Sequence, residues 1–207
     1  MNNKIIKGVK DYYTEKIRNN GVGAKGVDWN SKDSQYLRFE QLCKVINKDD
    51  FSIIDYGCGY GELINYIDAK YSNYNYVGFD ISAEMLAEAQ KLFDGNSRVK
   101  FSSLLYENKV NYIIASGLFN VKLNLATNEE WLDYIIETLN DIYSHSLSGF
   151  SFNALTKYSD SDHIKDYLYY SDPLFLFDYC KKNFSKNVAL LHDYNLYEFT
   201  IIVRKNG

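Results

Sequence analysis

The sequence predicts an α/β fold, a doubly wound and mostly parallel seven-stranded sheet. One strand runs antiparallel in a carboxyl-terminal hairpin, and a helical cap precedes the sheet. Three observations carry this reading. From Phe51 onward, short apolar runs alternate with helical patterns, and parallel strands need such crossover connections. A glycine-rich turn, Gly57-Cys58-Gly59-Tyr60-Gly61, follows the first apolar run directly, as in a Rossmann-like βα unit. Residues 187–205, NVALLHDYNLYEFTIIVRK, are two β-rich runs joined by polar residues, the signal of a hairpin.

In chain order, the cap comes first. Lys10 to Arg18 reads as a helix, then a loop carries Gly21, Gly23 and Gly26, and Ser34 to Ile46 reads as a second helix with Phe39, Leu42 and Ile46 at helical spacing. Phe51 to Asp55 is a short buried strand that ends in a carboxylate. Leu63, Ile64 and Ile67 give the next helix its apolar face. Tyr76 to Phe79 is the second strand, and it ends at Asp80. Ser82 suits the N-cap of the helix that follows, with Glu84 in its first turn and Met85, Leu86 and Ala89 as its core face. Val99 to Leu105 and Asn111 to Ala115 are two more strands. A helix over Asn128 to Ser144 has Trp131, Ile135, Leu139 and Ile142 on one side. Leu147 to Leu155 is a strand, and Leu174 to Phe184 a helix, before the hairpin. No repeat or linker divides the chain, so residues 1–207 are expected to form one domain. Its parts are a cap over 1–50, a core over 51–207, and a polar, Tyr-rich insertion at 155–172.

Composition narrows the function classes. A net charge of −4, without a run of basic residues interleaved with aromatics, argues against a nucleic-acid groove. No stretch approaches the roughly 20 apolar residues that span a bilayer, and the amino terminus lacks a signal-peptide core. Cys43, Cys58 and Cys180 form no CxxC pair, which points to free thiols in a reducing cytoplasm and to no metal site. Twenty tyrosines and twelve phenylalanines stand against one proline. This is either a compositional bias or a cavity walled with phenol rings, which bury apolar area and keep a polar tip.

The chemistry lies between the first strand and the second. Glycines in the turn permit positive φ and let the backbone approach a ligand, while the following helix presents free N–H groups. Asp80, at the end of the second strand, can accept hydrogen bonds from both ribose hydroxyls of a nucleoside cofactor. Its simpler role is a helix-start charge. NAD and S-adenosylmethionine (SAM) both carry adenosine, and the turn separates them. The dinucleotide fingerprint is GxGxxG, but here the third glycine position is Glu62, which would repel a pyrophosphate. SAM offers a positive sulfonium and an amino acid tail instead, and Asp55 can meet the ammonium.

Ile53 to Gly61, followed by Val77-Gly78-Phe79-Asp80-Ile81-Ser82, resembles the first two motifs of class I SAM-dependent methyltransferases. The resemblance extends over the whole chain and implies the strand order 3-2-1-4-5-7-6 with strand 7 antiparallel. It implies SAM as cofactor and S-adenosylhomocysteine (SAH) as product. The backbone of Gly57, Cys58, Gly59 and Gly61 would hold the methionine part, Asp80 the ribose, and Ile81 the adenine. Family members often place an acid after the third strand to meet the adenine amino group. Here that region is Ser102-Ser103-Leu104-Leu105, so a backbone or serine contact near Leu104 would substitute. Gly26-Val27-Asp28-Trp29-Asn30, Tyr36 to Glu40 and Ser116 to Asn120 are similar to a bacterial subgroup of small-molecule methyltransferases.

Further site expectations follow. Arg38 is either a bidentate partner of the SAM carboxylate or a surface arginine. Tyr13 closes over the cofactor or packs a helix face. Ser116 joins the cofactor site at the carboxyl edge of the sheet. Trp29, Asn120, Asn153, Tyr158 and Tyr170 are the candidates for the acceptor side, with the 155–172 insertion as its cover. His163 and His192 are the weak candidates for a general base, which is needed only if the nucleophile must lose a proton. The leading expectation is methyl transfer to an O or N atom of a small soluble metabolite, by a cytoplasmic monomer or homodimer that binds neither nucleic acid nor membrane. The alternatives are an NAD-linked oxidoreductase and a non-catalytic SAM-binding protein.

Overall fold

A computed structural model describes residues 3–29, 31–104 and 109–205. Among them β1 (Asp50–Tyr56), β2 (Asn73–Phe79), β3 (Val99–Ser102), β4 (Val110–Ala115), β5 (Ser146–Leu155), β6 (Asn187–Leu191) and β7 (Glu198–Arg204) form one sheet. Its order is β3-β2-β1-β4-β5-β7-β6. The first five strands are parallel, and β7 is antiparallel to both β5 and β6. The expected hairpin therefore supplies the one reversed strand, and the expected strand order is the observed one.

Helices cover both faces because the strands are apolar on both. On one face, Ile53, Tyr76, Tyr112 and Ile114 meet Phe39, Leu42 and Cys43 of α2 (Lys32–Cys43) and Leu63, Ile64 and Ile67 of α3 (Glu62–Asp68). On the other, Ile54, Ile113, Phe150 and Phe152 meet Trp131, Ile135, Leu139 and Ile142 of α5 (Asn128–His145) and Leu176 and Cys180 of α6 (Pro173–Asn183). The caps are local chemistry. Thr127 and Glu130 close a capping box on α5, and Asp172 accepts the N–H groups of Leu174 and Phe175 ahead of Pro173 at the first turn of α6.

Four boundaries differ from the expected ones by three residues or more. α1 runs over Asn3–Asn20, well before Lys10, because Ile5, Val9 and Ile17 continue one buried stripe. β2 starts at Asn73: Tyr74 and Tyr76 face the core while Asn73 and Asn75 face out, a period-2 pattern hidden by two asparagines of low strand propensity. α2 ends at Cys43, three residues short of Ile46. β3 ends at Ser102, short of the expected Leu105, because the Ser102 hydroxyl accepts the Leu104 N–H and turns the chain; Leu105 itself and Asn30 lie outside the described residues.

α4 (Ala83–Leu92) packs on α1 at one edge of the sheet. Thr14 Oγ1 and Ser82 Oγ lie 2.8 Å apart, and Arg18 pairs with Glu84. These contacts draw the amino-terminal helix across the carboxyl ends of β1 and β2. The chain leaves β1 for β2 on one side and returns to β4 on the other, so the strand order reverses at β1 and opens a crevice there.

Candidate active site

The crevice floor is the turn after β1. Gly57 and Cys58 donate their N–H groups to the Phe79 carbonyl at 2.8 and 3.0 Å, which pins the turn to the end of β2. Gly59 has φ +55, and a Cβ there would come within 3.0 Å of Val27 Cγ1. The bare backbone is thus required by conformation and by space. Asp80 completes the turn. Its Oδ2 accepts the Gly59 N–H at 2.9 Å and its Oδ1 accepts the Ser82 N–H at 2.8 Å. Both roles foreseen for this residue are compatible, because each carboxylate oxygen keeps a second lone pair.

Asp55, the last inward acid of β1, is 3% exposed, and its Oδ2 accepts the Tyr76 hydroxyl at 2.7 Å. Burial pushes its carboxyl up to about 7; the Asp80 charge adds to this, and the Tyr76 hydrogen bond opposes it. Burial also raises Asp80, against the backbone N–H groups of Ser82, Gly59 and Ile81. Two crowded, desolvated carboxylates beside a cradle of glycine backbone form a site that gains by admitting a cation.

These groups line a cavity of about 400 Å³. Its floor is Asp55 to Gly59, and one flank is Phe79 to Ser82 with Ser103 and Leu104. The opposite wall is Ser116, Gly117 and Leu118 after β4, and Ile6, Val9, Tyr13, Val27 and Trp29 form the roof. Asp55, Glu62, Asp80 and Asp141 supply four carboxylates, and no Lys, Arg or His lies among the described lining residues. Ser116 Oγ is buried without a hydrogen-bond partner among the described residues, a polar atom left for a ligand. The cavity suits a positively charged nucleoside, and its four carboxylates oppose a pyrophosphate.

Residues 53–140 match the model of a family described as a methyltransferase domain. A Mycobacterium tuberculosis protein described as a putative methyltransferase is 48% identical over 164 residues, 78% of this chain and 98% of that protein. The chain belongs to the class I SAM-dependent methyltransferases. Solved structures agree in fold. Magnesium protoporphyrin IX methyltransferase (ChlM) of Synechocystis with bound SAH aligns at a TM-score of 0.68 and 17% identity, covering 97% of this chain and 99% of that one. A DhpI-SAM-HEP complex aligns at 0.64 and 13% identity, with 98% of each chain covered. Among the described residues, no helix is long and apolar enough to cross a membrane.

The structure brings many of the expected cofactor residues of this methyltransferase together. Tyr13, Asp55, Gly57, Cys58, Gly59, Asp80, Ile81, Leu104 and Ser116 all line the cavity. Gly61 does not; it is the N-cap of α3 at φ +85, backed by Phe93. Arg38 is placed otherwise than expected. It is 7% exposed, its Nε and Nη2 each donate at 2.8 Å to Glu198, and its Nη1 donates to the Ser34 carbonyl; its bidentate edge is taken by Glu198, and it does not line the cavity. Of the expected acceptor residues, Trp29 alone lines the cavity. Asn120 is buried, with Oδ1 accepting the Leu155 N–H, and Asn153 is spent on Gly117 and Glu198. Tyr158 is 57% exposed beside His192, and the Tyr170 hydroxyl bonds the His163 carbonyl.

The insertion is likewise not a cover for the cavity. Its Tyr167 and Tyr169 exchange backbone hydrogen bonds with Leu123 and Asn120, which lays it along the β4–α5 connection away from the glycine turn. His163 is exposed and bound to Asp162, and neither it nor His192 lines the cavity. The roof comes instead from α1 and from residues 24–29. Asp28 ties that segment to α1, accepting from Tyr12 Oη at 2.6 Å and Lys16 Nζ at 2.7 Å. Sequence reading missed Ile6 and Val9 because the helix start was placed too late. It also missed Tyr134 and Asp141, on the cavity side of α5, for which the sequence carries no local signal.

Proposed function

We propose that this methyltransferase transfers the methyl group of SAM to an O or N atom of a small, uncharged or cationic molecule. The observation that carries this reading is the cavity: glycine backbone and carboxylates below, an aromatic roof above, and no cationic side chain among its described lining residues. Such a lining suits a sulfonium donor and disfavours an anionic acceptor. That the DhpI neighbour was crystallised with SAM and HEP supports small-molecule chemistry on this fold. Nothing in the cavity favours the NAD-linked alternative, and Glu62 at the start of α3, hydrogen-bonded by Tyr36 Oη at 3.0 Å, adds a carboxylate to the lining at the third-glycine position of the dinucleotide pattern.

When bound, SAM supplies an electrophilic methyl group on a positive sulfur. The chain's residues do the rest. Gly57, Cys58 and Gly59 seat the amino acid tail against bare backbone, with Asp55 available to its ammonium. Asp80 accepts from the ribose hydroxyls, and Ile81 and Leu104 enclose the base. Tyr13 and Trp29 close the roof and exclude water, so that alignment in a dry site provides most of the acceleration, about 7–11 kcal/mol in favourable analogies. The single domain over 1–207, the cytoplasmic setting and the monomeric or homodimeric state belong to the same proposal; the three buried free thiols suit a reducing compartment.

Calorimetry with SAM, SAH and NAD tests the cofactor. The expected result is binding of the first two and none of NAD, and NAD binding without SAM binding would reverse the assignment. A screen of small amines and hydroxylated metabolites for SAH production then tests the acceptor class. Turnover confined to phosphorylated or carboxylated acceptors would refute the charge argument.

A further inference from the structure

A chain of buried polar groups runs behind the cavity wall without touching the cavity. Glu198, the first residue of β7, is 2% exposed and collects two elements. Arg38 of α2 donates to both of its oxygens, and Asn153 Nδ2 of β5 donates to Oε2 at 2.6 Å. At its other end Asn153 Oδ1 accepts the Gly117 N–H at 2.7 Å. These partners fix the amide orientation, since the N–H needs the oxygen and the carboxylate needs the nitrogen. Gly117 has φ +70 and lies under Trp29, where a Cβ would come within 2.4 Å of the indole. The other side of the chain closes on the same ring: the Arg38 guanidinium lies 4.0 Å from the Trp29 centroid. One carboxylate therefore holds the turn after β4 from below and, through Arg38, the indole above it.

The strand order says what that wall faces. β4 neighbours β1, so the Ser116–Leu118 turn stands opposite the glycine turn, and a Cβ on Gly57 would come within 3.1 Å of Leu118 Cδ1. β2 and β3, which carry Asp80, Ile81 and Leu104, lie on the far side. We propose that Glu198, with Arg38 and Asn153, is a positioning relay that sets the Ser116–Leu118 wall and Trp29 against the amino acid end of the cofactor, leaving the adenosine end independent. Arg38 thus acts on the cofactor tail through Glu198 and not by contact. The inference rests on the SAM reading of the cavity.

The test compares SAH with 5′-methylthioadenosine, which keeps the adenosine and lacks the amino acid tail, by calorimetry on the full chain. Asn153→Ala and Glu198→Gln are each expected to weaken SAH by about tenfold while 5′-methylthioadenosine stays within about twofold. A merely structural role would weaken both ligands alike. Should Glu198→Gln leave Arg38 unpaired and unfold the chain, Asn153→Ala still decides, because it leaves the Arg38–Glu198 pair whole. Arg38→Lys separates contact from positioning: if only this variant loses SAH selectively, Arg38 touches the tail and the relay is wrong. Equal losses, or none, in folded Asn153→Ala overturn it as well. Wild-type protein that binds neither ligand defeats the cofactor assignment first, and that outcome is distinct.

Discussion

Asp55 gives the most quantitative test of the site. Its carboxyl is buried beside Asp80 and is pushed up from 3.8 to about 7. Because the folded value lies above the unfolded one, folding favours the protonated form. The contribution to stability is full below about pH 4, is lost as pH rises toward 7, and is level above that. The whole effect corresponds to about 4 kcal/mol, of which about 3 kcal/mol falls between pH 5 and pH 8. The perturbation is Asp55→Asn, which keeps an acceptor for the Tyr76 hydroxyl and removes the titration. The assay is urea denaturation of wild type and variant across pH 5 to 8 without ligand. Subtracting the two profiles removes the exposed carboxylates common to both. The variant should gain on wild type as pH rises, with the curve bending near 7. Parallel profiles would show that Asp55 is already ionised in the folded protein and would refute the argument. A second measurement gives the sign its functional meaning. A cation bound beside Asp55 favours the ionised form, so SAM binding near pH 6.5 should release protons, seen as heats that vary with buffer ionisation enthalpy, and the Asn variant should release fewer.

Two further outcomes follow from the same geometry. Asp80→Ala removes the acceptor for the Gly59 and Ser82 N–H groups and for the ribose, and should weaken SAH by roughly 1–3 kcal/mol in calorimetry; unchanged affinity would exclude the ribose role. Gly117→Ala puts a Cβ into Trp29 at φ +70, so about 1–2 kcal/mol of backbone strain adds to a displaced indole. Its SAH affinity should fall at least tenfold with a shift in Trp29 emission, and a variant with wild-type affinity and emission would mean that the roof is not built on this turn.

Much of the fold was legible because its signals are local. A strand that ends in Asp55 and runs into glycines, and a second that ends in Asp80, each fit within ten residues, and the reversed strand announced itself as a terminal hairpin. The glycine floor of the cavity was readable for the same reason: its backbone geometry needs glycine, and glycine is visible in sequence. The acceptor side was not. Asn153, Tyr158, Tyr170 and the 155–172 insertion are polar or aromatic and sit near the correct sheet edge in chain order, yet hydrogen bonds from Tyr167 and Tyr169 carry the insertion along the β4–α5 connection. Arg38 failed for a different reason. Its partner Glu198 is 160 residues away, and no periodicity or spacing reports a long-range ion pair.

That failure bears on how the site is built. The cavity floor is set by strand order and glycine turns together, since the switch between β2 and β4 around β1 leaves a crevice there. The roof has no such guarantee. It is assembled from the amino-terminal third of the chain, and each piece is tied by polar contacts to a different strand or helix: α1 to α4 through Thr14 and Ser82, the 24–29 segment to α1 through Asp28, and Trp29 to β7 and β5 through Arg38 and Glu198. A buried ion pair is seldom a net source of stability, because the desolvation cost offsets the attraction. Arg38–Glu198 is better understood as a device for register, fixing where one indole stands over one turn.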